Sequence, residues 1–147
     1  MSAMNDESIE AAIAALEEEF ALFSDWEERF AHLIDLGRAL TPLNDTEKTA
    51  ATKVTGCASQ VWLVSAARDG RLFFRGESDA FLVKGLIAVL LRVFSGRTPA
   101  EILSIDPQAL ARRLGLSDAL TSQRSNGLLS MMARIRAEAS KAAVAPI

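Results

Sequence analysis

Cys57, in Val54-Thr55-Gly56-Cys57-Ala58-Ser59-Gln60, is the residue of this sequence with the most chemistry open to it. It follows a polar stretch and precedes a β-branched, aromatic run, so it falls on a loop beside a rigid strand, where reactive groups concentrate. Gly56 gives the backbone an unrestricted turn next to the thiol, and Ala58 and Ser59 are too small to cover it. Two readings stay open from residue types alone: a small buried hydrophobe, the commoner fate of a lone cysteine, and a nucleophile. The chain has one cysteine and one histidine. That excludes an internal disulfide, a C-x-x-C pair, cysteine-ligated zinc and a multi-histidine metal site. A Cys–His dyad would need His32, which falls mid-helix beside an acidic face with nothing to bring it to Cys57. A solitary accessible thiol suits reactions whose second reactive group belongs to another protein, such as thiol exchange or sulfur relay.

Other candidates carry less. Glu77 and Asp79 flank Ser78, and carboxylates at a helix start usually cap it or favour its dipole. Lys84 interrupts an apolar helix and reads as a snorkelling stem, with Gly85 beside it permitting close packing against a strand. Arg124-Ser125-Asn126-Gly127 lacks phosphate-loop spacing, and Gly56, Gly70 and Gly76 are too far apart for a dinucleotide fingerprint. No cofactor site is legible.

The elements that must position the thiol follow from periodicity. Ile9, Ile13, Leu16, Phe20 and Phe23 predict a helix over about residues 7–22. Ser24-Asp25-Trp26-Glu27 reads as a capping box opening a second helix, with Trp26, Phe30, Leu33, Ile34 and Leu40 inward. Thr41-Pro42 ends it. Residues 43–56 lack a helical stripe and are expected to form a loop with at most a short helical turn or edge strand. Residues 60–65 and 71–76 read as strands, joined by Asp69-Gly70 as a hairpin turn. Ser78 or Asp79 is expected to cap a helix through about Phe94, apolar nearly all round and therefore central. Ser95-Gly96 stops it. Thr98-Pro99-Ala100-Glu101 and Asp106-Pro107 open two short helices, Gly115 stops the second, and a last helix covers about 122–142 with Leu128, Met132, Ile135 and Ala139 inward. The fold class expected is α+β, a small antiparallel sheet packed against helices, in one domain over 1–147.

Half of the 147 residues are apolar, 24% are charged and only 8 are Gly and 4 Pro, which excludes disordered or low-complexity chains. Net charge is −3 with pI near 5.2, so bulk nucleic-acid binding is not expected. The longest near-continuous apolar stretch, residues 80–91, is shorter than the roughly 20 residues a membrane span needs. The first residues, MSAMNDESIE, do not resemble a secretory signal, so a cytoplasmic location is expected. Residues 1–47 carry 12 acids and 2 bases, and residues 48–147 carry 7 acids and 14 bases. The favoured reading is two parts attracting each other across the fold, rather than an acidic face that selects a partner. Monomer and homodimer both fit.

Gly56-Cys57-Ala58-Ser59-Gln60-Val61-Trp62 resembles the G-C-x-S-Q-V-W signature of the SufE family, sulfur-accepting partners of cysteine desulfurases. The resemblance continues through Glu77-Ser78-Asp79-Ala80, Val83-Lys84-Gly85-Leu86-Ile87-Ala88, Arg97-Thr98-Pro99 and Leu120-Thr121-Ser122-Gln123-Arg124-Ser125-Asn126-Gly127-Leu128. Asp25-Trp26-Glu27-Glu28-Arg29-Phe30 and Leu36-Gly37-Arg38 fit the family's early helix. The likeness covers roughly residues 12–140, and departs at Glu77, where aspartate is frequent, and Gln123, where proline is. It implies a compact α+β fold related to IscU-type scaffolds. It also implies a relay in which Cys57 takes persulfide sulfur from a SufS-type desulfurase and yields it to a SufBCD-type scaffold. Pyridoxal phosphate then belongs to the desulfurase, and no cofactor is expected here. The family's reactive loop can tuck its cysteine against apolar surface and swing out. On that basis Gly56 and Ser59 supply conformational range, and Gln60 and Trp62 anchor the loop's base, with Trp62 expected in the core. Lys53, or Arg124 if the fold brings it near, is expected to lower the thiol's pKa in the extended state. Asp79 and Lys84 are further candidates for partner contact. The alternatives are relay to a different sulfur-modification acceptor, a stand-alone thiol enzyme such as a one-cysteine peroxidase, and an allosteric desulfurase-binding module with Cys57 inert.

Overall fold

The structure is a computed structural model describing residues 7–57, 59–116, 120 and 122–144. Ala58 and Thr121, both within the motifs above, lie outside the described residues. Helix α1 (Ile9–Ala21) begins where the Ser8 hydroxyl accepts the Ala11 N–H, and it buries Ile9, Ala12, Ile13, Leu16 and Phe20. Helix α2 (Trp26–Arg38) is capped by Asp25, whose carboxylate accepts the Glu28 N–H, rather than by Ser24. Ser24 instead donates its hydroxyl and its N–H to the Glu28 carboxylate, so the return bond goes to the residue before the cap and the box expected from Ser24 and Glu27 does not form. The helix ends at Arg38, ahead of Thr41-Pro42. A single 3₁₀ turn, Asp45–Glu47, is the only regular element described between α2 and the sheet.

Strands β1 (Val61–Arg68) and β2 (Arg71–Ser78) form one antiparallel hairpin in the register Val61↔Ser78 to Arg68↔Arg71. Asp69 (φ 53°) and Gly70 (φ 78°) make its turn, the two left-handed positions that a right-twisting hairpin requires. Val61, Leu63, Leu72 and Phe74 face inward and are buried. Trp62 stands on the other face opposite Glu77, half-buried beneath the Lys48 ammonium, which lies 5.6 Å from its ring. Strand alternation thus takes Trp62 out of the core in which it was expected.

Helix α3 (Phe81–Phe94) crosses this sheet at Gly76, where an added Cβ would come within 2.8 Å of Ile87 and Leu63. Its N-cap is Ala80, without a side-chain cap, so neither Ser78 nor Asp79 has that role. Its other side meets α2. A Cβ on Gly85 would lie 2.1 Å from the Leu33 carbonyl oxygen, so this glycine permits a helix–helix approach and not the helix–strand one expected. Helices α4 (Pro99–Leu103, with the Thr98/Glu101 capping box) and α5 (Pro107–Arg113) lead to α6 (Ser122–Val144). Leu128, Met132, Ile135 and Ala139 of α6 are buried, as their spacing predicts, and close the core over α3. The class is α+β, with one small antiparallel sheet against helices.

Candidate functional site

Cys57 sits where the loop, β2's end, α3 and α6 converge. Gly56 turns the chain with φ +88°, a conformation that side-chain-bearing residues rarely adopt, and a Cβ there would also strike Ser130 Oγ at 2.5 Å. The thiol then points at the start of α6, donating to the Gly127 carbonyl across 3.6 Å. Gly127 lies directly against it: a Cβ at that position would be 3.7 Å from the sulfur, at ordinary contact distance. The remaining space is a cleft of about 30 Å³ walled by Val83 and Leu86 of α3 and by Leu128 and Met131 of α6. Ser59, Gln123 and Arg124 complete its lining. A wider cleft of about 270 Å³ lies across Leu128 but contains no nucleophilic thiol.

This seat decides the sulfur's chemistry at rest. Burial pushes the Cys57 thiol above its ordinary pKa, since hydrocarbon walls penalise the thiolate. Arg124 lines the seat, whereas Lys53 is exposed and meets the rest of the protein through its backbone, which bridges to Trp62. Neither cation offsets burial in this position. Gln60 serves the base of the loop through its main chain. Its N–H donates to Asp79 Oδ1 (3.1 Å), and its carbonyl accepts the Asp79 N–H (3.3 Å). Asp79, passed over as a helix cap, therefore ties the loop to the end of β2. Lys84 is not in the cleft. Its ammonium lies 5.9 Å from the Phe81 ring, and its side chain borders a separate polar recess with Glu77 and Gly37. His32 is committed elsewhere, 2.5 Å from Glu19 and against the rings of Phe20 and Phe23. Among the described residues no group of three His, Cys, Asp or Glu side chains could hold a metal ion, and no helix is long and apolar enough to cross a membrane.

The walls of the seat were not foreseen from sequence. Val83, Leu86 and Met131 look like ordinary core positions, and the small residues Gly127 and Ser130, three apart on one face of α6, were the available sign that something packs closely there. The assembled site is one thiol on a short tethered loop, sheltered by two helices, with no carboxylate or imidazole among the described residues that line it. That arrangement is a single sheltered thiol in a domain of α+β fold.

The comparisons with known proteins carry this to a family. The model of the SufE family, described as an Fe-S metabolism associated domain, matches residues 14–139. An uncharacterized SufE-like protein of Rhizobium meliloti (strain 1021) is 45% identical over 126 residues, covering 83% of this chain and 90% of that protein. A second, from Rhizobium etli, is 42% identical over 139 residues, covering 92% and 94%. The solution structure of a hypothetical protein from Thermus thermophilus superposes with TM-score 0.76 at 20% identity, over 91% of this chain and 97% of that one, and so shares its fold. The chain belongs to the SufE family, and membership supports a desulfurase-associated role in sulfur transfer.

Proposed function

We propose that this protein is a sulfur acceptor that takes persulfide sulfur from a cysteine desulfurase onto Cys57, stimulates that enzyme, and passes the sulfur to iron–sulfur cluster assembly. The step balances without an outside oxidant. The Cys57 thiolate attacks the outer sulfur of the desulfurase's cysteine persulfide, and a new S–S bond forms at Cys57 Sγ. The partner's S–S bond breaks, and its cysteine sulfur leaves with the electron pair and takes up the proton that Cys57 gave up. Pyridoxal phosphate, which generates the persulfide, resides in the partner, of SufS type on this reading, and the onward acceptor is a SufBCD-type scaffold. A cytoplasmic setting follows, because a free thiol persists in a reducing compartment.

The observation that carries this reading is the seat of Cys57. The sulfur is half-buried against Gly127, with a raised pKa, on a loop whose glycine permits a different course. A resting thiol kept protonated and sheltered resists oxidation, and it becomes nucleophilic only when the loop is drawn out by a partner. The test is intact mass after incubation with a desulfurase and cysteine. The expected result is a gain of roughly one sulfur atom per chain, absent in Cys57→Ser. Full stimulation of sulfide release by Cys57→Ser, with no mass gain in the wild type, would instead assign an allosteric role with an inert cysteine.

A further inference from the structure

One stripe of α6 follows the Cys57 loop along its length: Gly127, Ser130, Arg134 and Glu138, spaced by three, four and four residues. Gly127 receives the thiol and Ser130 underlies Gly56. One turn further, Arg134 Nη1 donates to the Lys53 carbonyl (3.2 Å) and Nη2 to the Ala51 carbonyl. Glu138 holds this guanidinium from behind, with Oε2 3.4 Å from Arg134 Nε, while its Oε1 accepts the hydroxyl of Ser65 on β1 (3.1 Å). Both side chains are half-buried, at 28% and 21% exposure. The carbonyls that Arg134 grips belong to a segment already laid along β1, since Val54 N–H donates to Val61 O (2.8 Å) and Leu63 N–H to Thr52 O (2.9 Å). The opposite foot is the Gln60–Asp79 pair. Between the feet lie residues 55–59, of which the described ones stand outside any strand or helix, with Thr55 and Gly56 in a turn.

We propose that Arg134, oriented by Glu138, is a positioning residue for Cys57: it pins residues 51–53 to α6 and so limits the swinging arm of the thiol to residues 55–59. The purpose rests on the sulfur-relay reading; the clamp itself does not. An arm rising from two adjacent feet extends by at most half its contour, about 10 Å at roughly 3.5 Å per residue. A short arm keeps the sulfur near one place and so raises its effective concentration at a docked partner. Without the clamp the foot can peel from β1 and the arm lengthens. A guanidinium suits this task because its planar fork serves two carbonyls and one carboxylate together, which an ammonium does less well.

The test uses the full chain with Arg134→Gln, Arg134→Lys and Glu138→Gln, read by amide exchange and by the rate of Cys57 alkylation with iodoacetamide. In Arg134→Gln, alkylation and exchange at residues 52–54, together with the Leu63 amide that Thr52 accepts, are expected to rise about tenfold, while β2 and the rest of β1 keep wild-type protection. Arg134→Lys retains one donor and recovers part of the protection; Glu138→Gln falls between wild type and Arg134→Gln. Wild-type rates in Arg134→Gln, a rise shared equally by the two strands, or a lysine variant as open as the glutamine one would each overturn the proposal. None of these measurements involves a desulfurase, so failure of the wild-type protein to gain sulfur would sink the relay and leave the clamp standing.

Discussion

Cys57 is held by one weak S–H···O contact and a partial coat of hydrocarbon, so its protonation and its position are coupled. Burial raises its pKa in the tucked position, and the sign of the linkage follows. The preference for tucking is fully present below the released thiol's pKa, roughly 8.5, and fades as pH rises through the tucked value. Alkylation of the native protein should therefore climb with a midpoint above that of the same chain unfolded in denaturant; a midpoint at or below the unfolded one would contradict the sheltered seat. The chemistry open to this residue was legible in sequence, because a lone cysteine after a glycine and before small residues constrains chemistry by type. The shelter was not. Its walls come from α3 and α6, and no local pattern tells a leucine that covers a thiol from one that covers another leucine.

The elements show a similar division between local and distant causes. Caps and turns were readable because their partners lie within four residues: Thr98 with Glu101, Asp106 with Ala109, Asp69-Gly70 at the hairpin. Two starts were displaced, at Asp25 and Ala80, where several polar residues competed and only packing chose among them. The α2–α3 crossing was invisible as such. Gly37 and Gly85 meet face to face, with a Cβ on Gly37 2.7 Å from Gly85 N and one on Gly85 2.1 Å from Leu33 O. Because the obstacle is backbone, relaxation requires moving a whole helix. Gly85→Ala should cost about 3 kcal/mol, at the upper end for overpacking. In a chain of this size that lowers Tm by roughly 6–12 °C in a thermal melt. An unchanged Tm would mean the two helices are not in this contact.

Across the whole molecule, the acidic first third and the basic remainder do meet. Glu7 pairs with Arg92, Glu10 and Glu17 with Arg113, and Glu47 with Arg75. These are mostly solvent-facing pairs, individually weak because water screens them. Arg113→Ala, which removes two at once, should lower stability by about 1 kcal/mol in dilute buffer, and the difference from wild type should shrink in 1 M salt, where screening acts within about 3 Å. Equal losses at both salt concentrations in urea titrations would point to packing instead. Among the described residues, Arg97 was the one charged side chain whose full burial no pattern announced: it is enclosed, donating to the Val93 and Glu7 carbonyls. The hairpin also gives the molecule two ends. The loop with the thiol springs from the Val61 end, while Asp69-Gly70 closes the other, where a Cβ on Gly70 would touch nothing within 4 Å. Eight residues of strand separate them, roughly 23 Å. A fluorophore or affinity handle grafted at that far tip can therefore report on what visits the sulfur without obstructing the visitor.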